Sequence, residues 1–345
     1  MITRKRALAL ALGFACSGSA AVAKPTIVEF DAPNIKTGAG TMVTGIDDKG
    51  DVIGNFVDMS NTQHGFMRRA DGSFLIYGAT TTNLTAVNAR QQTTGDFQNV
   101  SKFSGFIADP AGNMTAFDVS GAVATVGTAI NDAGDIAGNA SDANNAFHGF
   151  LRSKRGKFKT FDGPGAGTAS GQGTFPGGIG SDDLVCGYYI TGDGIRHGFV
   201  RDAGGTITTV DVTSSVRTVL HAINDTDTIV GYSRDTSNVY HGLIRTADGT
   251  LTSVDAQGAG TAALQGTLFG GINKKGIIAG QLIDSGNVNH SFVRTAKGKV
   301  TIFDPPDTAL TAGLGSFSVG INTKNQIAGS YLDAGGVEHG YIRLP

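Results

Sequence analysis

The sequence has little of what builds a helical, disulfide-stapled or nucleic-acid-binding protein. Of its 29 acidic residues only Glu29 and Glu338 are glutamate; the rest are aspartate. Glutamate favours helix interiors, whereas aspartate bonds to its own backbone and collects in turns and caps. No stretch shows sustained helical periodicity. Cysteine is nearly absent: outside the leader described below only Cys186 remains, so no intrachain disulfide can form. A long domain with its own core does not need one.

Positive charge and long apolar runs are scarce as well. The formal net charge is −2, and it becomes −5 once Arg4, Lys5 and Arg6 of the leader are removed. That argues against a nucleic-acid or anionic-membrane partner, since both need a basic footprint. Nowhere is there the run of about 20 apolar residues needed to span a bilayer as a helix. The N-terminus reads as a signal peptide, residues 1–23, with basic Arg4-Lys5-Arg6, apolar Ala7 to Ala15 and small Ala21-Val22-Ala23 before the cut. A lipoprotein reading around Cys16 is weaker, because Gly13 stands where such signals prefer leucine. The expectation is a soluble mature protein, 24–345, secreted or periplasmic.

What the sequence does have is glycine, 52 of 345 residues and about twice the usual share, and a repeat. Seven copies align on one tripeptide: Gly45-Ile46-Asp47, Ala86-Val87-Asn88, Ala129-Ile130-Asn131, Gly178-Ile179-Gly180, Ala222-Ile223-Asn224, Gly271-Ile272-Asn273 and Gly320-Ile321-Asn322. A turn follows each, then a strand such as Ile136-Ala137-Gly138, then His-Gly-Phe-x-Arg as in His197 to Arg201. A second Gly-bearing turn leads to a strand ending in Phe161-Asp162 or Val210-Asp211. Four short strands at a period of about 46 residues are the signature of a propeller blade.

The predicted fold is therefore all-β: a seven-bladed β-propeller with four antiparallel strands per blade. The last copy stops after its third strand, 339–343, and the missing fourth strand is at the other end, 27–31. The blade they complete closes the ring and removes open sheet edges. His148 and Asp162, like His197 and Asp211, His241 and Asp255, and His290 and Asp304, are 14 residues apart across a hairpin. The register pairs each His with its Asp, sets Phe161 opposite Gly149, and predicts that His339 faces Asp31.

The pattern D-x-P-G-A…G-I-N-x-x-G-x-I-x-G…H-x-F, seen in Asp162 to Ala166, Ile130 to Gly134 and His64, 148, 197, 241, 290 and 339, resembles the HAF family of bacterial extracellular repeats. This chain reads HGF, HGL, HSF or HGY where that family has H-A-F. The resemblance implies an exported, propeller-like array and brings no catalytic residues.

Each candidate site has a plainer reading beside it. His–Asp dyads serve catalysis, yet an active site is needed once and this pair recurs; it reads as a cross-strand contact. The Arg four residues after each His (68, 152, 201, 245, 294, 343) shares its strand face and reads the same way. No metal ligand set is assigned: the turns 47–51 and 131–135 lack the terminal bidentate glutamate of a calcium loop. Cys186 reads as buried filler. No cofactor is implied.

Two features remain for binding. Asp58, Asp142, Asp235, Asp284 and Asp333 fall at second-to-third strand connections and offer an acidic, hydroxyl-binding rim, although hairpin capping also accounts for them. The loops entering positions 46, 179, 272 and 321 are long, marking one face for recognition, and Arg217 and His221 are polar departures from the repeat there. The second copy is degenerate, with Gly78, Ser104 and Ala108 in place of Asp, His and Arg.

The leading expectation is a monomeric, non-catalytic binding module that recognises a glycan or a protein through the long-loop face. The alternatives are a carbohydrate-active lyase or hydrolase with an aspartate pair in its central cleft, and a structural envelope component without a small-ligand site.

Overall fold

A computed structural model describes residues 25–78 and 80–345; the expected signal segment 1–23 lies outside them. Among the described residues there is no helix, and so none long and apolar enough to cross a membrane. Twenty-eight strands fall into seven four-stranded antiparallel units. Units I to VI follow the chain at 41–77, 82–117, 124–161, 173–210, 215–254 and 266–303. Unit VII combines 316–343 with Ile27–Phe30, whose register runs Ile27↔Arg343 to Phe30↔Gly340.

Within a unit the burial gradient runs from inside to outside. The second strand of unit III, Ile136–Ser141, is buried on both faces, whereas the fourth, Phe158–Phe161, is mostly exposed. The repeated H-G-F aromatic supplies the core. Phe66, Phe106, Phe150, Phe199, Leu243, Phe292 and Tyr341 occupy one position in the seven units and are 0% exposed. The first-strand backbone and these rings leave the glycine of the I-x-G strand no room for a side chain: a Cβ on Gly138 would sit 2.1 Å from Val126 O and 2.5 Å from the Phe150 ring. The fourth-strand aromatic covers the third-strand glycine in the same way, with Phe161 opposite Gly149.

Neighbouring units are joined along their first strands. Each first strand carries a β-bulge at the same place, which increases local twist; the bulged residues are Thr44, Thr85, Thr128, Gly177, His221, Gly270 and Val319. Single-residue parallel bridges connect third strands to following first strands, including Phe147↔Gly173, Arg196↔Arg217 and Tyr240↔Gly266. Through them units II to VI run on as one 20-stranded sheet.

The asparagine of the repeat performs two tasks at once. In unit III the Asn131 Oδ1 accepts the N–H groups of Ala133 and Asp135, capping its own turn. Its Nδ2 donates to Gly180 O of unit IV at 3.0 Å. The same amide link runs from Asn88 to Asn131, Asn224 to Asn273, Asn273 to Asn322, and Asn322 to Asp47. Aspartate suffices for the turn, but only asparagine has the N–H to reach the next unit.

Candidate functional site

The repeated histidines sit at the start of third strands, and all but His64 are held by the aspartate that ends the fourth strand. His148, His197, His241 and His290 place Nδ1 at 2.7–3.0 Å from Asp162, Asp211, Asp255 and Asp304. His339 bonds Asp31 at 2.8 Å, joining the two ends of the described chain. The opposite ring nitrogen faces the aspartates at the second-to-third connections, an arrangement invisible in hairpin arithmetic. Nε2 of His64, His148, His241, His290 and His339 lies 3.0, 3.7, 3.5, 3.5 and 3.5 Å from Asp58, Asp142, Asp235, Asp284 and Asp333.

These five aspartates also cap their turns. Asp142 Oδ1 accepts N–H from Asn144 and Ala146, and Asp333 Oδ1 accepts from Gly335 and Val337. The main-chain N–H of Ala146 is the first of the bonds that hold the Asp142 carboxyl below the usual carboxylate range. The Asp162 bond raises the His148 pKa in turn. Both carboxylate oxygens of each rim aspartate therefore already have neighbours within the unit. In unit I, where Gly78 replaces the partner aspartate, His64 Nδ1 is buried with no hydrogen-bond partner among the described residues.

The repeated arginines do something the strand face did not suggest. Four of the six reach across to the preceding unit and lie over its fourth-strand aromatic: Arg68 over Phe30, Arg152 over Phe117, Arg201 over Phe161 and Arg343 over Phe303, at 4.8–5.0 Å. Such cation–π contacts pack the outer parts of neighbouring units together. Cys186 is fully buried among Val200, Leu220 and Ile229, and burial pushes its thiol up to about 12. Among the described residues no three His, Cys, Asp or Glu side chains converge as a metal site.

A central cavity is lined by all seven first strands through Ile46, Val87, Ile130, Ile179, Ile223, Ile272 and Ile321. Its wall is uneven. In units I to III the bulge residue is threonine, and Thr44, Thr85 and Thr128 donate to Leu84 O, Gly127 O and Pro176 O of the next unit. In units IV to VII the bulge residues are Gly177, His221, Gly270 and Val319, and those bonds are gone. A Cβ on Gly177 would come within 2.9 Å of the His221 Cα, so glycine there makes room for the His221 strand.

His221 thus lies on the wall of this cavity, partway along its strand, rather than on the loops. It opens onto a recess of about 250 Å³ lined also by Tyr232, Leu268, Phe269, Gly270, Gln281, Ser318 and Val319. His221 Nε2 is shielded from solvent and has no partner among the described residues, and burial lowers its pKa to about 4. The imidazole is neutral at pH 7. Arg217 stands at the loop end of the same strand, Ser215–Ile223.

The second strands diverge in the same sector. After the I-x-G glycine, units I to III have Asn55, Asp96 and Asn139, whereas units IV to VI have Tyr188, Tyr232 and Gln281. Phe175 stacks on Tyr188 at 5.0 Å and meets Phe147 at a tilt at 4.9 Å, and Tyr232 meets both Tyr240 and His221 edge-on. Tyr188, Tyr232, Tyr240 and Gln281 escaped notice in the sequence because they occupy repeat positions. Their signal is that these positions change character between adjacent copies.

No family model matches the sequence, and no curated protein matches it either. Solved structures do resemble the fold. A catalytically inactive virginiamycin B lyase from Staphylococcus aureus with quinupristin aligns over 93% of this chain and 100% of its own, with a TM-score of 0.58 and 16% identity. The β-propeller domain of the trilobed protease from Pyrococcus furiosus aligns over 88% and 93%, with a TM-score of 0.57 and 7% identity. An acylaminoacyl peptidase from Pyrococcus horikoshii aligns over 88% of this chain and 51% of its own, with a TM-score of 0.53 and 9% identity. The chain is a β-propeller; at such identities the likeness extends to fold alone.

Proposed function

We propose that this chain is an exported, non-catalytic β-propeller of the HAF-repeat kind, closed as seven blades, that binds a glycan at the wall and mouth of its central cavity. One observation carries the reading. The polar residues repeated in most units are engaged in turn caps and contacts within or between units, while the aromatic and polar residues that break the repeat gather in units IV to VI. Aromatic faces beside unpartnered polar groups are the chemistry of a site that stacks sugar rings and bonds their hydroxyls. Closure is supported by the pairing of Ile27–Phe30 with 338–343 and by the Asn322 link to unit I.

The test is a glycan array probed with purified 24–345, with reaction products analysed for each ligand. The expected result is a reproducible ligand that is not cleaved and is lost on Tyr232→Ala. Cleavage would replace this reading with that of a carbohydrate-active enzyme. A blank from folded protein would overturn glycan binding and leave a protein ligand.

A further inference from the structure

Three arginines occupy register-paired positions on neighbouring strands at the loop end of units IV and V. Arg196, on the third strand of unit IV, is the bridge partner of Arg217 on the first strand of unit V. Arg217 is in turn the register partner of Arg234 on the second strand. Like charges set directly opposite one another in a sheet destabilise it unless counter-ions are at hand, as they are for three other cations of this protein. Arg69, Lys102 and Lys274 each have a carboxylate within 3.9 Å. Among the described residues Arg196, Arg217 and Arg234 have none, and Arg234 Nε is shielded from water without a hydrogen bond.

Aromatic rings flank the three arginines. The Arg196 guanidinium lies over the Tyr188 ring at 5.1 Å. Arg234 is the register partner of Tyr240, which meets Tyr232 at 5.6 Å between centroids. Burial raises the Tyr188 pKa, with Arg196 and Arg217 both acting in the opposite direction, so the Tyr188 hydroxyl lies in the field of both. All six side chains are half-buried, which leaves part of each open to solvent. The connection into unit V is short, 211–214, while those into units IV and VI are long, 162–172 and 255–265. The cluster therefore occupies a gap in the loop wall.

We infer that Arg196, Arg217 and Arg234, with Tyr188, Tyr232 and Tyr240, form a subsite for an acidic polysaccharide, whose carboxylate or sulfate groups the guanidinium forks bind while the tyrosine rings take its sugar faces. Guanidinium matches such groups with two parallel N–H···O bonds, and stacked arginine is preorganised for them. A bound anion also removes the repulsion among the three cations. The inference rests on the glycan-binding reading above and specifies its ligand.

Binding of 24–345 to polygalacturonate, chondroitin sulfate and dextran is measured by calorimetry at two salt concentrations. Polygalacturonate reports carboxylate, chondroitin sulfate adds sulfate, and dextran is neutral. One acidic polymer or both is expected to bind, more weakly at high salt. Arg217→Gln should weaken that binding about tenfold, and the triple Gln variant at 196, 217 and 234 about 100-fold or more. Arg155→Gln, which removes the same charge from an outer turn, should leave it unchanged. Circular dichroism checks folding, and the single variant decides the matter if the triple does not fold. Acidic polymers bound equally well by Arg217→Gln would overturn the subsite. Dextran bound as tightly as the acidic polymers, with loss on Tyr232→Ala, would overturn the anionic ligand and keep the glycan reading. A blank for all three, repeated on the glycan array, would overturn both.

Discussion

The side-chain amide of Asn322 donates to the main-chain carbonyl of Asp47 at 2.9 Å, across 275 residues of sequence. It belongs to the series in which one asparagine caps its own turn and holds the next unit. The series breaks at Gly180, which has no side-chain amide, and at Asp47 itself. Asp47 Oδ1 accepts the N–H groups of Lys49, Gly50 and Asp51, but Oδ2 is buried with no partner among the described residues.

Asn322→Asp keeps the turn cap and deletes the link, so it should cost about 1–3 kcal/mol, the price of a buried hydrogen bond left unmade. Asp47→Asn should do the reverse and stabilise by about 1 kcal/mol, by supplying an N–H to the carbonyl of Asn88. Burial raises the Asp47 carboxyl above its ordinary 3.8, so the folded state keeps that proton to higher pH than the unfolded state. The stability attributable to Asp47 therefore falls as pH rises through this range. The advantage of Asp47→Asn should widen as pH rises above the ordinary carboxylate value of 3.8 in urea unfolding. A constant difference would show that the buried carboxylate is not the cause.

The pair of His148 with Asp162 gives a pH dependence of the same sign from a different group. The Asp162 bond raises His148 above its ordinary 6.5. Its contribution is complete below 6.5 and is lost as pH rises through the folded value. The melting temperature should decline between about pH 6 and pH 8, and Asp162→Asn should make the decline shallower. The effect is small, since His148 and Asp162 are 38% and 48% exposed and solvent screens them. Identical slopes in the two proteins would remove the pair from the account.

Glycines at the bridges between units should tolerate no side chain. At Gly173 φ is +117° and a Cβ would lie 2.0 Å from Phe147 O, on the strand that Gly173 joins. Gly173→Ala should cost about 3 kcal/mol or more, through strain and displacement of the bridge. At Gly165 φ is +75° with nothing within 4 Å of the added carbon, so Gly165→Ala should cost about 1–2 kcal/mol, from backbone strain alone. Equal losses in chemical denaturation would mean that close approach across the bridge contributes nothing.

Contacts within a unit were readable from the chain because spacing along a hairpin fixes which residues oppose. The pairing of His148 with Asp162 follows from counting alone, and that of His339 with Asp31 from assigning 27–31 as the missing fourth strand of the last copy. Contacts between units were not readable in that way. Nothing in the spacing of Asn131 shows that its amide reaches Gly180, nor that Arg152 lies over Phe117 of the preceding unit. The first-strand bulge is a further obstacle: it shifts register between Leu220 and Ala222, turning His221 onto the cavity wall. The alignment of Arg196, Arg217 and Arg234 depends on one such bulge and one parallel bridge, neither of which leaves a pattern in a single strand.

Unit VII imposes an order on biosynthesis. Ile27–Phe30 is made among the first of the described strands, yet its hydrogen-bonding partner, Glu338–Arg343, is the last. Every other unit can assemble from a contiguous stretch while the remainder of the chain is still emerging. This one waits until residue 343 has been made, so its formation is the slow, high-contact-order step of folding. Until then the early strand has unpaired backbone groups and is open to pairing with the same strand of another molecule. A chain released before residue 338 lacks the partner strand altogether and leaves that edge unsatisfied.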